Sequence, residues 1–63
     1  MTVRDMLATL RGDGWFIVRQ RGSHRQLHHA TKRGTVTVAG KPKKTLHPKV
    51  VASILRQAQL EKQ

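Results

Sequence analysis

The chain has 63 residues, which is enough for one domain (residues 1–63) with a marginal core, because a chain of this size buries only about 60% of its unfolded surface. It contains no cysteine, so disulfide bonds and thiolate metal sites are excluded, and we expect a protein of the reducing cytoplasm. Thirteen Lys and Arg against three Asp and Glu give a net charge of +10, so we expect a polyanionic partner, with nucleic acid first, an anionic membrane second and an acidic protein third.

The first predicted element is a helix over about residues 3–11. Four apolar residues at i, i+3, i+4 and i+7 form one stripe: Val3, Met6, Leu7 and Leu10. Thr2 fits the N-cap position, and Asp5 stands three residues later as the acid of a capping box. Gly12 and Gly14 then indicate the end of the helix, since glycine adopts the left-handed conformation that helix ends often need.

Three strands are predicted in the middle of the chain, over residues 15–20, 24–29 and 35–38. Only short turns separate them, so they are close enough in sequence to form an antiparallel meander. In the third strand Val36 and Val38 alternate with threonines and are expected to face the core. Trp15 and Phe16 are the only aromatic residues, and both are expected to supply core area.

A second helix is predicted from Pro48 to about residue 58. Proline suits the first helical position because its missing N–H would have no partner there, and His47 fits the cap before it. The apolar stripe of this helix consists of Val51, Ile54, Leu55 and Ala58. Neither predicted helix is long or apolar enough to favour a membrane as the partner.

The order of elements is α-β-β-β-α, which predicts an α+β fold with a three-stranded antiparallel sheet and two helices on one face. This packing leaves the other face of the sheet open to solvent or ligand. By analogy, it is the layout of a double-stranded RNA-binding-like domain. The residues expected in the core are Val3, Met6, Leu7, Leu10, Ile17, Val36, Val38, Val51, Ile54 and Leu55.

Three of the four histidines, His24, His28 and His29, lie close together in sequence, which raises the question of a metal site. On a helix, His24 and His28 would share one face. On the predicted strand they lie about 13 Å apart, and His28 and His29 point to opposite faces. No Cys, Asp or Glu stands nearby to complete a ligand set, so we expect neither a metal nor another cofactor.

Other catalytic arrangements are also disfavoured. Ser23 and His24 are adjacent, and adjacent side chains on a strand diverge, so they do not form a nucleophile–base pair. The chain has too few acidic residues for paired-carboxylate chemistry. One histidine at a turn–strand junction among Arg and Lys remains, and this is the minimum needed for RNA cleavage without a metal. From these residues alone, an ordinary exposed histidine is the more frequent explanation.

The sequence resembles the HicA toxins in motifs that occur in the family order: Gly14-Trp15 followed by Arg19, Gly22-Ser23-His24, Thr35-Val36-Thr37-Val38 and Ser53-Ile54-Leu55-Arg56-Gln57-Ala58. Each motif alone is weak, but the set is specific and covers nearly the whole chain. The resemblance implies a double-stranded RNA-binding-like fold, translation-blocking cleavage of messenger RNA, and His24 as the catalytic residue. It also implies a cognate HicB antitoxin that binds the toxin and covers this site.

The chain departs from the family pattern in two places. After the third strand the family has Pro-x-His, where this chain has Ala39-Gly40-Lys41, so Lys41 becomes a candidate for stabilising charge in place of a second histidine. Near the end, Ala58-Gln59-Leu60 stands in place of Ala-Gly-Leu, which bears only on how the last helix stops.

The expected RNA contacts are the basic side chains, with the loop of Lys41, Lys43 and Lys44 as the main cluster. The full set of predicted RNA-binding residues is Arg19, Arg21, Arg25, Lys32, Arg33, Lys41, Lys43 and Lys44. The remaining histidines, His28, His29 and His47, match no family role and are expected to be structural or to contact RNA. Two alternatives remain open, namely a non-catalytic RNA- or DNA-binding module of the same fold and an interaction subunit for an acidic partner.

Overall fold

The computed structural model describes residues 1–60 and contains the five elements that the sequence predicts. They are α1 (Val3–Gly12), β1 (Trp15–Arg21), β2 (His24–His29), β3 (Val36–Ala39) and α2 (Pro48–Gln57). The strands form one antiparallel sheet in the order β1-β2-β3, so β2 is the central strand. Both helices pack on the same face of this sheet, and the predicted α+β fold is confirmed.

The beginnings of both helices are capped as predicted. The Oγ1 atom of Thr2 accepts from the backbone N–H of Asp5 at 3.1 Å, and the Asp5 carboxylate accepts from the backbone N–H of Thr2 at 2.9 Å. The bond from the Thr2 backbone N–H, followed by a hydrogen bond from the Thr2 side chain, lowers the pKa of the Asp5 carboxyl below its ordinary value. At α2, His47 Nδ1 accepts from the backbone N–H of Lys49 at 3.0 Å, and Pro48 occupies the first helical position.

The core contains most of the residues that the sequence predicts. Its buried members are Val3, Met6, Leu7, Leu10, Trp15, Leu27, Val36, Val38, Leu46, Ile54 and Ala58. Ile17, Val51 and Leu55 were expected inside and are half-buried, packed against this cluster. Leu46 was not predicted, because it lies outside any periodic element in the loop before α2.

The prediction that Phe16 supplies core area is wrong. Trp15 is 1% exposed, whereas Phe16 is 49% exposed and lies on the face of the sheet that the helices do not cover. Successive side chains on a strand point to opposite faces, so two adjacent aromatic residues cannot both enter a core on one side of the sheet.

A β-bulge in β1 changes which face its second half presents. Ile17 pairs with Leu27 and Arg19 pairs with Gln26, so Val18 is an extra residue without a partner in the ladder. Strict alternation would put Arg19 on the same face as Ile17, toward the core. Because of the bulge, Arg19 lies on the exposed face with Gln26.

Arg25 is the one buried charged residue among the described residues 1–60, with 7% of its surface exposed. It points inward because β2 alternates, with the exposed His24 and Gln26 on either side. Its Nη1 atom donates to the Ser23 carbonyl at 3.1 Å and the Gly40 carbonyl at 2.9 Å. Arg25 was predicted as an RNA contact, and the structure places its guanidinium inside, where it joins the turn before β2 to the residue after β3.

Lys32, another predicted RNA contact, is half-buried and bonds the ends of both helices. Its Nζ atom donates to Asp13 Oδ2 at 2.6 Å and to the carbonyls of Ala58 and Gln59 at 3.2 and 3.3 Å. The ammonium group therefore joins the end of α1 to the end of α2. The hydrogen bond from Lys32 is the largest influence on the Asp13 carboxyl and, together with the charge of the Lys32 ammonium, it lowers the pKa of that carboxyl, while desolvation opposes this effect.

His29 orders the same end of the molecule through both ring nitrogens. Its Nδ1 accepts from the backbone N–H groups of Thr31 and Lys32 at 3.1 and 3.2 Å, which leaves the proton on Nε2. Nε2 donates to the Asp13 carbonyl at 2.6 Å. A Cβ at Gly14 would lie 2.8 Å from this nitrogen, and Gly14 has a φ of +104°, so both space and conformation require glycine there.

We expect the variant Asp13→Asn to have a lower melting temperature than the wild type at neutral pH, because it removes the charge that Lys32 bonds. The folded-state pKa of Asp13 lies below the ordinary value of 3.8, so its stabilisation is present above that pH and is lost as pH falls through the folded-state pKa. The difference in melting temperature between the two proteins should therefore shrink below about pH 4. Thermal melts of both proteins across the acidic range measure this difference. Asp5 is present in both proteins, so its effect on the melting temperature does not contribute to the difference. A difference that stays constant into strong acid would contradict the assignment.

Arg25→Met should destabilise the fold, because it removes the guanidinium donor from the Gly40 carbonyl and leaves the Ser23 carbonyl with only the Gly40 N–H. We expect a loss of about 1–3 kcal/mol, which corresponds to a fall of several degrees in melting temperature for a chain of this length. Arg21→Met is the matched control, since Arg21 lies on the same hairpin and is exposed. Chemical denaturation of both variants makes the comparison. Equal stability of the two variants would show that the hydrogen bonds of the buried guanidinium do not stabilise the fold.

Candidate functional site

His24 is held at the first position of β2 by a two-residue turn. Arg21 and His24 are the last paired residues of the β1–β2 hairpin, with Gly22 and Ser23 between them. Gly22 has a φ of +55° and open space around a Cβ position, so glycine is required there by conformation and not by crowding. The turn thereby places the exposed His24 at the edge of the uncovered face of the sheet.

A shallow cavity of about 290 Å³ lies on this uncovered face around His24. All three strands contribute to its lining, which consists of Arg19, Arg21, His24, Gln26 and Thr37. Two guanidinium groups supply positive charge, the imidazole can accept or donate a proton, and the other two side chains are neutral hydrogen-bonding groups. The cavity therefore suits an anionic ligand such as a phosphate diester.

The β1 bulge is the feature of this site that sequence reasoning missed. The sequence predicted Arg19 as an RNA contact from its charge alone, although plain alternation from Ile17 turns it toward the core. The extra residue Val18 brings Arg19 onto the face that carries His24. The only signal in the sequence is that β1 continues into the polar Arg19 and Gln20 without keeping its alternation.

The basic loop, residues 40–44, begins beside His24. Ala39 pairs with His24, and the next backbone N–H, of Gly40, donates to the Ser23 carbonyl at 3.0 Å. Lys41, Lys43 and Lys44 follow and are exposed.

The first turn of α1 anchors this basic loop. The N–H of Val3 donates to the Lys44 carbonyl at 2.9 Å, and the N–H of Arg4 donates to the Pro42 carbonyl at 3.0 Å. Thr2 and Thr45 form an isolated antiparallel bridge next to these bonds. The backbone of the loop is therefore fixed, and the exposed lysines are held at the His24 end of the sheet.

The remaining predicted RNA contacts lie at the opposite end of the sheet. Lys32 and Arg33 belong to the connection between β2 and β3, which begins at His29. The length of β2 separates that end from His24 by about 17 Å. The structure therefore brings Arg19, Arg21 and the basic loop toward His24, and it does not bring Lys32 or Arg33 there.

The four histidines have separate surroundings. His28 is exposed and its Nε2 is 3.1 Å from Thr35 Oγ1, whereas His29 points to the other face and His47 caps α2. Within residues 1–60, no three His, Asp or Glu side chains are grouped as metal ligands. No helix in the same range is long and apolar enough to cross a membrane.

A second and larger cavity, of about 550 Å³, lies between the free edge of β3 and α2. Apolar side chains including Leu46, Val50 and Ile54 line it, with Lys44 and Lys49 among its polar residues. Its one histidine, His47, uses Nδ1 to cap α2. The smaller cavity, in which the imidazole of His24 is exposed, is therefore the better candidate for a site of proton transfer.

Comparison with known families gives one match. The family model described as "HicA toxin of bacterial toxin-antitoxin" matches residues 3–60, which include all five secondary-structure elements and the turn that carries His24. No curated protein matches the chain. The match covers nearly the whole sequence, as the motif resemblance predicted, and this chain belongs to the HicA family of toxins from bacterial toxin–antitoxin systems.

Proposed function

We propose that this toxin is an endoribonuclease, an mRNA interferase that blocks translation by cleaving messenger RNA through acid–base catalysis at His24, without a metal. The observation that carries the proposal is the cavity in which an exposed imidazole stands beside two guanidinium groups. Membership in the HicA family supports a toxic activity. The net charge of +10 supports a polyanionic substrate.

The chemistry follows from what these side chains can do to a ribose and its phosphate. In cleavage by the 2′-oxygen, that oxygen bonds to phosphorus while the bond from phosphorus to the 5′-oxygen breaks. His24 either takes the proton from the 2′-hydroxyl or gives a proton to the leaving 5′-oxygen, and solvent water completes the other proton transfer. Arg19 and Arg21 stabilise the negative charge that builds on the phosphate oxygens, and Lys41 is placed to add to this field.

The protein partner follows from the family and the charge. A toxin of this family has an antitoxin partner, and we propose a cognate HicB protein that docks over His24. Acidic groups on such a partner would complement the Arg19 and Arg21 side and speed association. Docking there would exclude RNA from the cavity at the same time.

A non-catalytic RNA-binding module of the same fold is the second candidate function. The same basic face supports it, because two arginines and the lysine loop bind phosphate whether or not His24 moves a proton. The two functions differ only in what His24 contributes, so this residue is the point at which they are separated.

We expect His24→Ala to keep the fold and the RNA affinity but to lower the cleavage rate about 10²- to 10⁴-fold, because a positioned acid–base side chain contributes a factor of that size. An exposed strand residue contributes little packing energy, so the melting temperature should hardly change. His47→Asn is the matched control, since it removes an imidazole outside the cavity and keeps a side-chain acceptor that can cap α2. Cleavage time courses and thermal melts of both variants provide the readout, and cleavage by the wild type should continue in EDTA.

The outcome that would contradict this assignment is a His24→Ala protein that melts normally and cleaves RNA at the wild-type rate. In that case the RNA-binding module becomes the better description. Loss of activity in EDTA would overturn the metal-independent mechanism even if His24 proved essential.

Simultaneous change of Lys41, Lys43 and Lys44 to Ala should weaken RNA binding for all sequences and flatten its dependence on salt. We expect the slope of log affinity against log salt to fall by roughly one unit per lost phosphate contact. The matched control changes three exposed cationic residues of the helices to Ala, namely Arg11, Lys49 and Arg56, none of which lines the cavity around His24. Both variants lose the same charge, so a difference between their salt slopes reflects the position of the lost charges. Titrations in the His24→Ala background avoid cleavage, and equal slopes in the two triple variants would reject the basic loop as the contact surface.

A further inference from the structure

One large apolar side chain on the uncovered face of the sheet, that of Phe16, is not part of the hydrophobic core. Phe16 is 49% exposed, and it stands opposite His28 in the β1–β2 ladder. The His28 ring is also exposed and is oriented by its contact with Thr35 Oγ1 at 3.1 Å. Two ring systems therefore lie side by side on an open strand surface, and no helix among residues 1–60 covers them.

The same face carries the proposed cleavage site and its positive charge. Phe16, Arg19 and Arg21 follow one another along β1 on this face, and His28, Gln26 and His24 lie opposite them on β2. Going along the sheet, a ligand meets two aromatic rings at one end and the cationic cavity at the other. Rings followed by guanidinium groups are complementary to a nucleotide chain, because each nucleotide has a flat base and a charged phosphate.

We propose that the uncovered sheet face binds single-stranded RNA, with an unpaired base stacked on Phe16 and flanked by His28. The inference rests on the proposed function, because it names the class of RNA that the His24 site accepts. Phe16 and His28 lie about 13 Å from His24 along β2, which is four residues of strand. The stacked base therefore belongs to a nucleotide near the one whose phosphate enters the cavity, and not to that nucleotide itself.

The geometry favours a single strand over a duplex. In a double helix the bases are paired and stacked within the helix, and their flat faces are not available to a side chain. Only sugars, phosphates and base edges are exposed, and none of these is a flat surface on which the Phe16 ring can stack. A single strand can turn its bases onto aromatic rings while its phosphates follow the arginines.

Binding is tested with the His24→Ala protein, which keeps the RNA intact, and a short fluorescent RNA of mixed sequence, either single-stranded or annealed to its complement. Phe16→Ala in this background should weaken binding of the single strand roughly 5- to 100-fold, which is the range for loss of one stacked base. Phe16→Trp should retain the affinity, and its added indole should lose fluorescence when the single strand binds. Val50→Ala is the matched control, since Val50 is an apolar residue of similar exposure (44%) on α2.

The results separate this inference from the proposed function. If Phe16→Ala, with an unchanged thermal melt, binds the single strand as tightly as the control, or if the duplex binds as tightly as the single strand, the inference is overturned. If Phe16→Ala loses only affinity for the co-expressed antitoxin, the surface is a protein-docking site and the inference is again overturned. If single-strand binding depends on Phe16 while cleavage does not depend on His24, the inference stands and the catalytic proposal fails.

Discussion

The alternation of side chains along β2 is the constraint on which the rest of the molecule depends. β2 is the central strand, and its inward residues Arg25 and Leu27 reach the core while His24 lies on the open face. The buried guanidinium of Arg25 fixes the turn that immediately precedes His24. A slip of one residue would bury the imidazole and expose Leu27, so the register that forms the core also presents the site.

The sequence contains enough information for the elements and for the position of His24, because both follow from local patterns. Helix stripes, the capping box and the glycine of the β1–β2 turn involve neighbouring residues only. The exceptions involve contacts between distant parts of the chain. Arg25 and Lys32 look like surface cations in sequence, and only the folded chain brings carbonyl oxygens to them. The bulge at Val18 was also not predicted, since the composition of a strand does not indicate where an extra residue interrupts the pairing.

Positive charge has two different uses in this molecule. A short chain without cysteine has little apolar surface to bury, and the side chains of Arg25 and Lys32 provide ties between its segments by donating to backbone carbonyls. These two cations hold the ends of the sheet and helices together. The net charge of +10 therefore overstates the charge available to a ligand. Of the ten exposed Lys and Arg residues among residues 1–60, five lie around His24, namely Arg19, Arg21 and the three lysines of the basic loop.

The attachment of the basic loop to α1 has a consequence for how activity arises during synthesis. The first N–H groups of a helix have no partner within the helix, and at Val3 and Arg4 they are bonded by the carbonyls of Lys44 and Pro42, which are made much later. The start of the helix and the loop must therefore become ordered together, when distant segments meet. A nascent or partly unfolded chain that lacks these bonds does not hold the lysines of the basic loop beside His24. The proposed activity would therefore require that residues 42–44 have left the ribosome and joined the start of α1.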